Sequence, residues 1–477
     1  MNTSQRILKN FLSLTSADVT MKLLSMVAIA YLARILGPGD FGKLNFALAS
    51  VGYFAIIAHF GINTIGTRDI ARDKQNLTFY VNNVISLKLC MGILSYMLLL
   101  IFALTMHKTM DIKYLIILYG FTLFSANVFL CDWVFQGIEK MEYQAIASII
   151  EGILYTALIL IIVKTNNNLL IVPAILIAAQ SVSAVFLFYV LFKKLAVKLH
   201  FDLSYWKYLF KQALPLGLTG MASIIINYFN VMLLGLVRTN EEVGYFSASH
   251  KIILLLMTTI AILATATFPT ISFLYKNSKG SFDKLVSYLF KLTITLGMPA
   301  AIGIMILAKP IINLIYGAKY GDSQIILQIL IWNFFLVGIN TIYSRILWAA
   351  DKQNQVFKIV LFQALLVAIL NLFFTPSFGI YSAGIIAVFG EMFGFLLYNQ
   401  ETKNIIKLNL FTYLHKPLLS ALVMSCFLIS LSHLNLFSLI FSGIAIYFIC
   451  LYFLKGVDKN DLEIISQLKN SLWLKRY

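Results

Sequence analysis

The sequence predicts an all-α polytopic membrane protein with about 14 transmembrane helices, arranged as two six-helix lobes followed by two appended helices. Of its 477 residues, 60% are hydrophobic and only 12% are charged. A soluble domain is about 45–50% apolar and about 25% charged, so a soluble enzyme is excluded. Apolar runs of about 18 residues recur from end to end, which fits helices and is too long for the strands of an outer-membrane barrel.

The predicted spans follow one another along the whole chain. Their approximate bounds are 13–35, 43–62, 81–105, 114–136, 143–163, 169–192, 213–237, 246–274, 287–308, 324–349, 356–375, 379–398, 417–433 and 436–454. The first resembles a signal peptide because Arg6 and Lys9 precede it. However, Asp18 and Lys22 interrupt its apolar region, so we expect a retained helix.

Basic residues between the spans predict the orientation. If the N-terminus is cytoplasmic, the inner segments hold 25 Lys and Arg residues and the outer segments hold 8. This asymmetry is what the positive-inside rule requires, so both termini are predicted to face the cytoplasm. The net charge of +17 follows from this topology. We therefore expect no nucleic acid among the partners.

Two pairs of passages indicate a duplication. Residues 36–44 align with 238–246, since each passage has an acid two residues before a glycine that opens the next span. Residues 137–140 align with 349–352 at corresponding junctions. Two lobes with six spans each have the same direction in the membrane, and a binding site is expected between such repeats near the midplane.

These features give the predicted organisation of the chain. Aromatic residues alternate with Lys207 and Lys211 before the seventh span, which predicts a helix lying on the inner membrane surface. The parts are an N-terminal lobe (1–192), a cytoplasmic interfacial linker helix (193–212), a C-terminal lobe (213–400), a second cytoplasmic linker (401–416), appended helices 13 and 14 (417–454) and a cytoplasmic tail (455–477).

Polar residues inside the spans predict a cavity. A charged side chain at the bilayer centre costs roughly 2.5–3.5 kcal/mol on insertion scales, so such groups usually face the protein interior or water. Asp18 and Lys22 share one face of the first span, and Asn227 and Asn230 share one face of the seventh. Several cations within spans indicate an anionic ligand. The candidate substrate-binding residues are Lys22, Lys88, Lys251, Arg345, Asn227 and Asn230.

Three of these residues, Lys22, Lys88 and Arg345, also have a simpler interpretation. Asp18 and Lys22 are four residues apart and can neutralise each other within one helix. Arg345 and Lys88 lie close enough to the inner boundary to reach the headgroups. The acids within spans either bind a coupling ion, H⁺ or Na⁺, or form charge pairs, and the sequence leaves both interpretations open. These acids are Asp18, Asp132, Glu151 and Glu391.

Motifs of covalent chemistry are absent from the sequence. It contains no G-x-x-x-x-G-K-[ST] phosphate loop, no H-E-x-x-H and no G-x-S-x-G. The four cysteines include no C-x-x-C pair. We therefore predict a transporter rather than an enzyme, with neither a cofactor nor a metal site.

Three motifs resemble the bacterial polysaccharide exporter family, the O-antigen or Wzx-type flippases of the multidrug/oligosaccharidyl-lipid/polysaccharide exporter superfamily. They are LARILGPGDFG at 32–42, GINTIGTRDIAR at 61–72 and WVFQGIEK at 133–140. The resemblance implies a flippase of the bacterial inner membrane that serves O-antigen and lipopolysaccharide biosynthesis. It implies alternating access, with undecaprenyl-pyrophosphate-linked oligosaccharide repeat units moving from the cytoplasmic to the periplasmic leaflet. It further implies a polysaccharide polymerase and a chain-length regulator as partners.

Three other functions stay open at this stage, and one of them is a lipid II flippase for peptidoglycan, which the mechanism alone allows. A cation-coupled multidrug exporter of the same superfamily would favour an acidic cavity, which the cations within spans argue against. A membrane polysaccharide polymerase would typically need a large periplasmic loop, whereas the predicted outer segments have about ten to fifteen residues at most.

Overall fold

The computed structural model describes residues 3–193, 201–408 and 410–456, without the side chains of 3–15, 192, 215, 216, 218–227 and 410. Helices form nearly all of this part of the chain, and it contains no β-strand. The α-helices are α1 (Thr3–His59), α2 (Ile62–Arg72), α3 (Leu77–Thr105), α4 (Met110–Gly120), α5 (Asp132–Gly137), α6 (Met141–Ile162), α7 (Ile171–Phe192), α8 (Leu203–Val237), α9 (Asn240–Asn277), α10 (Lys279–Ile315), α11 (Ser323–Ala349), α12 (Gln353–Thr402), α13 (Leu410–Ser430) and α14 (Leu436–Phe453).

Two of these helices are broken at a glycine. α1 has 57 residues and α12 has 50, whereas a membrane crossing needs roughly 20. Gly37 has φ 73° and ψ 174°, and Gly379 has φ 62° and ψ −140°. Only glycine adopts such angles without a steric cost. Each long helix therefore consists of two helical segments joined at one residue.

Eleven stretches of the described chain are long and apolar enough to cross a membrane. One of them, Ser16–Arg72, runs through the break in α1 and includes α2, and another is the whole of α12. The protein is therefore an all-α, multi-pass membrane protein, as predicted. The number of fourteen crossings stays a prediction.

Packing divides the chain into two compact units. Unit 1 comprises Met1–Ala248 and Ala364–Ala383, and unit 2 comprises Ser249–Gln363 and Gly384–Tyr477. In unit 1, α1 packs against α3, α6 and α8. In unit 2, α10 packs against α11 and α13. The predicted lobes, linkers, appended helices and tail rest on repeats and loops rather than on packing, so their boundaries stay a prediction.

The structure differs from the sequence prediction at the linker helix. Residues 203–212 are not a separate helix but the first turns of α8, which continues to Val237. Asp202 caps this helix by accepting hydrogen bonds from the backbone N–H of Ser204 and Tyr205. Leu209 and Ala213 are both fully buried in the core of unit 1. The apolar face of α8 thus continues across the predicted boundary between residues 212 and 213. Residues 194–200 of the predicted linker lie outside the described part.

The two duplicated passages, 36–44 and 238–246, contact each other within unit 1. A Cβ atom at Gly42 would overlap the carbonyl oxygen of Asn240, and one at Gly244 would overlap the carbonyl oxygen of Pro38. Backbone atoms of both passages therefore approach more closely than any residue with a side chain allows. We call this contact the glycine contact.

We expect Gly244→Ala to destabilise the protein by about 1–3 kcal/mol, because the new methyl group meets backbone atoms that cannot rotate away. Gly280→Ala is the matched control, since a Cβ atom there meets nothing within 4 Å. Its effect should stay within about 0.5 kcal/mol. Thermal unfolding in detergent measures both, and equal melting temperatures for the two variants would contradict the glycine contact.

Candidate functional site

Lys22 and Asp18 form an ion pair on α1. The Lys22 Nζ donates to Asp18 Oδ2 at 2.7 Å, and the two side chains are 38% and 53% exposed. The four-residue spacing predicted this pairing as the simpler interpretation. Lys22 therefore carries its own counter-ion. Its charge is only partly available to a ligand.

Lys88 on α3 is completely buried, with 0% of its surface exposed. Its Nζ has no hydrogen-bond acceptor among the described residues, although it interacts electrostatically with Asp132. The Asp132 carboxylate accepts hydrogen bonds from the Trp133 N–H at 2.9 Å and from Gln144 Nε2 at 3.3 Å. Lys88 is buried and Asp132 is half-buried, and their opposite charges attract each other within unit 1 without a direct hydrogen bond.

Glu151 on α6 belongs to a separate hydrogen-bonded chain in unit 1. Its carboxylate is hydrogen-bonded to the side chain of Gln180. The Ser125 hydroxyl in turn donates to Gln180 Oε1 at 2.7 Å. A neutral amide, rather than a cation, is therefore hydrogen-bonded to this half-buried acid.

Two candidate residues lie on α8. The Asn227 side chain lies outside the described residues. Asn230 is 6% exposed, and its Oδ1 atom has no donor among the described groups. The buried amide oxygen of Asn230 is therefore free to accept a hydrogen bond.

Lys251, on α9 of unit 2, is a half-buried cation. No acidic side chain in the described part of the chain forms an ion pair with it. Its neighbour His250 is also half-buried. A desolvated ammonium group without a counter-ion favours an anionic ligand.

Arg345, near the end of α11, stacks against aromatic rings. Its guanidinium carbon lies 4.5 Å from the Trp348 ring centre and 5.5 Å from the Phe268 ring centre. Its Nε is buried and has no hydrogen-bond partner among the described groups. Cation–π contacts stabilise a guanidinium group without neutralising it. Arg345 therefore retains its full charge.

Glu391, on α12, is surrounded by amide donors in unit 2. The Asn340 Nδ2 donates to Glu391 Oε2 at 2.8 Å, and the Gln363 side chain is also hydrogen-bonded to this carboxylate. The Gln363 Nε2 additionally donates to the Gly390 carbonyl at 3.0 Å. Asn340 Oδ1 is buried without a donor. A carboxylate and an unpaired amide oxygen are thus adjacent to each other.

A second charge pair, which the sequence analysis did not single out, lies at the start of α9. Arg238 donates to both carboxylate oxygens of Glu242, at 2.7 and 2.9 Å, and to the Pro376 carbonyl at 3.3 Å. The Glu242 carboxylate raises the pKa of the Arg238 guanidinium above its usual value. The spacing of four residues between Arg238 and Glu242 is the feature of the sequence that could have predicted this pair. This pair holds the helix break at Gly379 against α9.

The described residues contain no group of three or more His, Cys, Asp or Glu side chains that could hold a metal ion. The candidate residues that the sequence analysis named divide between the two units. Lys22, Lys88, Asp18, Asp132, Glu151 and Asn230 belong to unit 1, and Lys251, Arg345 and Glu391 belong to unit 2.

Comparison with known families identifies the chain. A family model described as polysaccharide biosynthesis protein matches residues 7–275, which is more than half of the sequence. The chain belongs to this polysaccharide biosynthesis family. The resemblance carried by the three sequence motifs is thereby confirmed.

Relatives in this family carry transport and biosynthesis names. A protein of Shigella dysenteriae named as a candidate O-antigen transporter is 26% identical, over 73% of this chain and 87% of its own. The capsular polysaccharide biosynthesis protein CapF of Staphylococcus aureus is 23% identical, over 84% of this chain and all of its own. These names state the roles given to the relatives, and they do not by themselves assign a role to this chain.

This chain shares its fold with two solved structures. The lipid II flippase MurJ, in an inward closed conformation, has a TM-score of 0.74 at 16% identity and covers 92% of this chain and 97% of its own. An inward-facing multidrug resistance MATE transporter of the MOP superfamily has a TM-score of 0.65, also at 16% identity, over 82% and 98%. The predicted fold class is confirmed by these similarities.

We expect Glu391→Leu to destabilise the protein by about 1–3 kcal/mol, because Asn340 and Gln363 lose the carboxylate as an acceptor and keep only the backbone carbonyls of Glu391 and Gly390. Glu391→Gln should cost less, because its carboxamide oxygen can still accept a hydrogen bond from Asn340. Thermal unfolding in detergent distinguishes the two variants. If both melt at the temperature of the unmodified protein, the amide groups do not depend on this carboxylate.

Proposed function

We propose that this protein is a flippase that moves undecaprenyl-pyrophosphate-linked oligosaccharide repeat units, of O-antigen or a related polysaccharide, from the cytoplasmic to the periplasmic leaflet of the bacterial inner membrane. The observation that carries the proposal is the family match, together with relatives named for O-antigen transport and capsular polysaccharide biosynthesis. Both termini would be cytoplasmic. A polysaccharide polymerase and a chain-length regulator are the partners that would use the exported units.

The charges within the spans suit this substrate. A diphosphate and a hydrated glycan cannot cross hydrocarbon unaided, because each unsatisfied polar group there costs several kcal/mol. Lys251 has no acidic partner among the described residues, whereas Lys22 is paired with Asp18 at 2.7 Å. We therefore assign the main contact with the pyrophosphate to Lys251. Lys22, Lys88, Arg345, Asn227 and Asn230 are supporting candidates.

A coupling ion would reset the empty carrier. A charge that crosses 100 mV gains roughly 2.3 kcal/mol. Glu391 is the acid best suited to bind H⁺ or Na⁺, since neutral amides surround it and Asn340 Oδ1 offers a further acceptor. Asp18 is occupied by Lys22, and Asp132 lies near Lys88. Glu151 is the second candidate.

The glycine contact supports alternating access. It joins the passages before the second and eighth predicted spans, which lie at the outer surface in the predicted orientation. The shortest approaches in this contact, at Gly42 and Gly244, are to backbone atoms, so they can separate without breaking an interlock of side chains. We propose that this contact closes the outer side and opens in each transport cycle.

A multidrug exporter has the same fold, as the MATE similarity illustrates. The match to the polysaccharide biosynthesis family favours the oligosaccharide substrate.

The lipid-linked sugars that accumulate in a deletion strain distinguish a flippase from a polymerase. Deletion of the gene should cause complete repeat units to accumulate on the cytoplasmic side. Single units that are exported but not joined would instead indicate a polymerase.

In the deletion strain, Lys251→Ala should restore export at a rate about ten- to a hundredfold lower than the unmodified gene, because a charge-assisted contact contributes about 1.5–3 kcal/mol. Lys358→Ala, which removes an exposed lysine at the inner end of α12, is the matched control and should restore export fully. Membrane levels of both variants are measured in parallel. Full export by Lys251→Ala would remove this lysine from the binding site.

Gly39→Cys combined with Glu241→Cys should trap the glycine contact. A Cβ atom at Gly39 would lie 3.7 Å from the Cγ of Glu241, which is close enough for a disulfide. Oxidation should stop export of repeat units, and a reductant should restore it. Each single cysteine variant serves as a control. Undiminished export by the oxidised double variant would show that the contact stays closed during transport.

A further inference from the structure

Unit 2 contains an elongated apolar cavity of about 400 Å³. Parts of three helices line it, namely residues 256–271 of α9, 289–300 of α10 and 334–345 of α11. Its few polar side chains are Thr259, Thr267, Thr293, Thr341 and Arg345. Ligand sites typically measure about 300–1,000 Å³ and combine apolar walls with a few polar groups. The cavity thus has the size and composition of a binding site.

The cavity is about as long as one membrane leaflet along two of its three walls. The walls on α10 and α11 each rise over eleven residue steps, which is about 16 Å at roughly 1.5 Å per residue, and the wall on α9 rises over fifteen steps, about 22 Å. Half of a hydrocarbon core of about 30 Å is about 15 Å. In the predicted orientation α10 begins at the inner surface, so the cavity lies in the inner leaflet. Arg345 stands at its inner end, four residues before α11 ends at Ala349.

Two polar atoms at the cavity have no partner. Arg345 Nε and Thr293 Oγ1 are both buried, and neither makes a hydrogen bond to a described group. Trp348 and Phe268 contact the guanidinium group, but no acidic side chain in the described ranges forms an ion pair with it. Buried polar groups are normally hydrogen-bonded. An anionic group near Arg345 would satisfy this requirement.

The cavity is also open at its side. Thr259 and Leu296 line it and are exposed, and the exposed fraction of Leu296 is 51%. Both residues lie near the middle of their helices, α9 and α10. A chain from the surrounding hydrocarbon can therefore enter between these helices without unfolding either of them.

We propose that this cavity binds one acyl chain of an anionic phospholipid of the inner leaflet, whose phosphate pairs with Arg345. A single guanidinium group matches the single negative charge of a phosphodiester, whereas a pyrophosphate carries at least two. The length of one leaflet suits an acyl chain and is too short for an undecaprenyl chain. The bound lipid is not transported, so this site is additional to the proposed function, and it removes Arg345 from the candidate contacts of the pyrophosphate.

The test uses the full chain purified in detergent and native mass spectrometry. Phosphatidylglycerol should bind at least about tenfold more tightly than phosphatidylcholine with the same acyl chains. Arg345→Gln should remove this preference, and Lys358→Gln should retain it. Ala300→Phe fills the cavity and should weaken binding of both lipids about tenfold. Ala266→Phe, at an exposed position outside the cavity, should not.

Several outcomes would overturn the proposal. Equal affinities for the two lipids, or a preference that survives Arg345→Gln, would exclude phosphate recognition by this residue. Undecaprenyl phosphate that competes with phosphatidylglycerol and is lost in Ala300→Phe would assign the cavity to the transported lipid. Should Ala300→Phe not fold, lysophosphatidylglycerols of increasing chain length replace it. Affinity for the unmodified protein that does not rise with chain length would then exclude the acyl-chain site.

Discussion

The cost of placing a charge among membrane helices governs this structure. An ionised side chain in a span has to find an opposite charge, neutral donors or a ligand. Asp18 and Lys22 solve the problem with an ion pair, and Glu391 solves it with two amides. Lys251 and Arg345 have neither an acid nor a complete set of acceptors among the described residues. The proposed contact of Lys251 with the pyrophosphate and that of Arg345 with a lipid phosphate follow from these two incomplete solutions, whereas the proposed function itself rests on the family match.

Sequence alone predicts the fold class because hydrocarbon imposes long apolar helices whatever the tertiary arrangement. It also predicts the pairing of Asp18 with Lys22, since a spacing of four residues brings side chains together on one helix. The amides around Glu391 belong to other helices, so their roles depend on packing that local patterns do not encode. The same holds for α8, where burial of Leu209 and Ala213 extends the helix beyond its predicted start.

Gly42 and Gly244, in the two duplicated passages, both mark the repeat and form the glycine contact. An acid two residues before a glycine indicated a repeat, and the same glycines are the residues that touch. The alignment predicted equivalent positions, yet equivalence in a repeat does not require contact. The alignment does not give the distance between the backbones of the two passages, because that distance depends on how α9 approaches α1. Gly42 and Gly244 therefore have a structural role in addition to marking the repeat.

The length of α8 has a mechanical consequence. Its 35 residues extend over about 52 Å, which exceeds a hydrocarbon core of about 30 Å by roughly 20 Å. Near its first turns, Tyr205 donates to Asp69 at 3.0 Å and Arg68 donates to Tyr208 at 2.8 Å. These hydrogen bonds join the first turns of α8 to the segment around Arg68, so the two move together. In the predicted orientation this segment lies at the cytoplasmic surface, so any tilt of the first turns of α8 also displaces that surface.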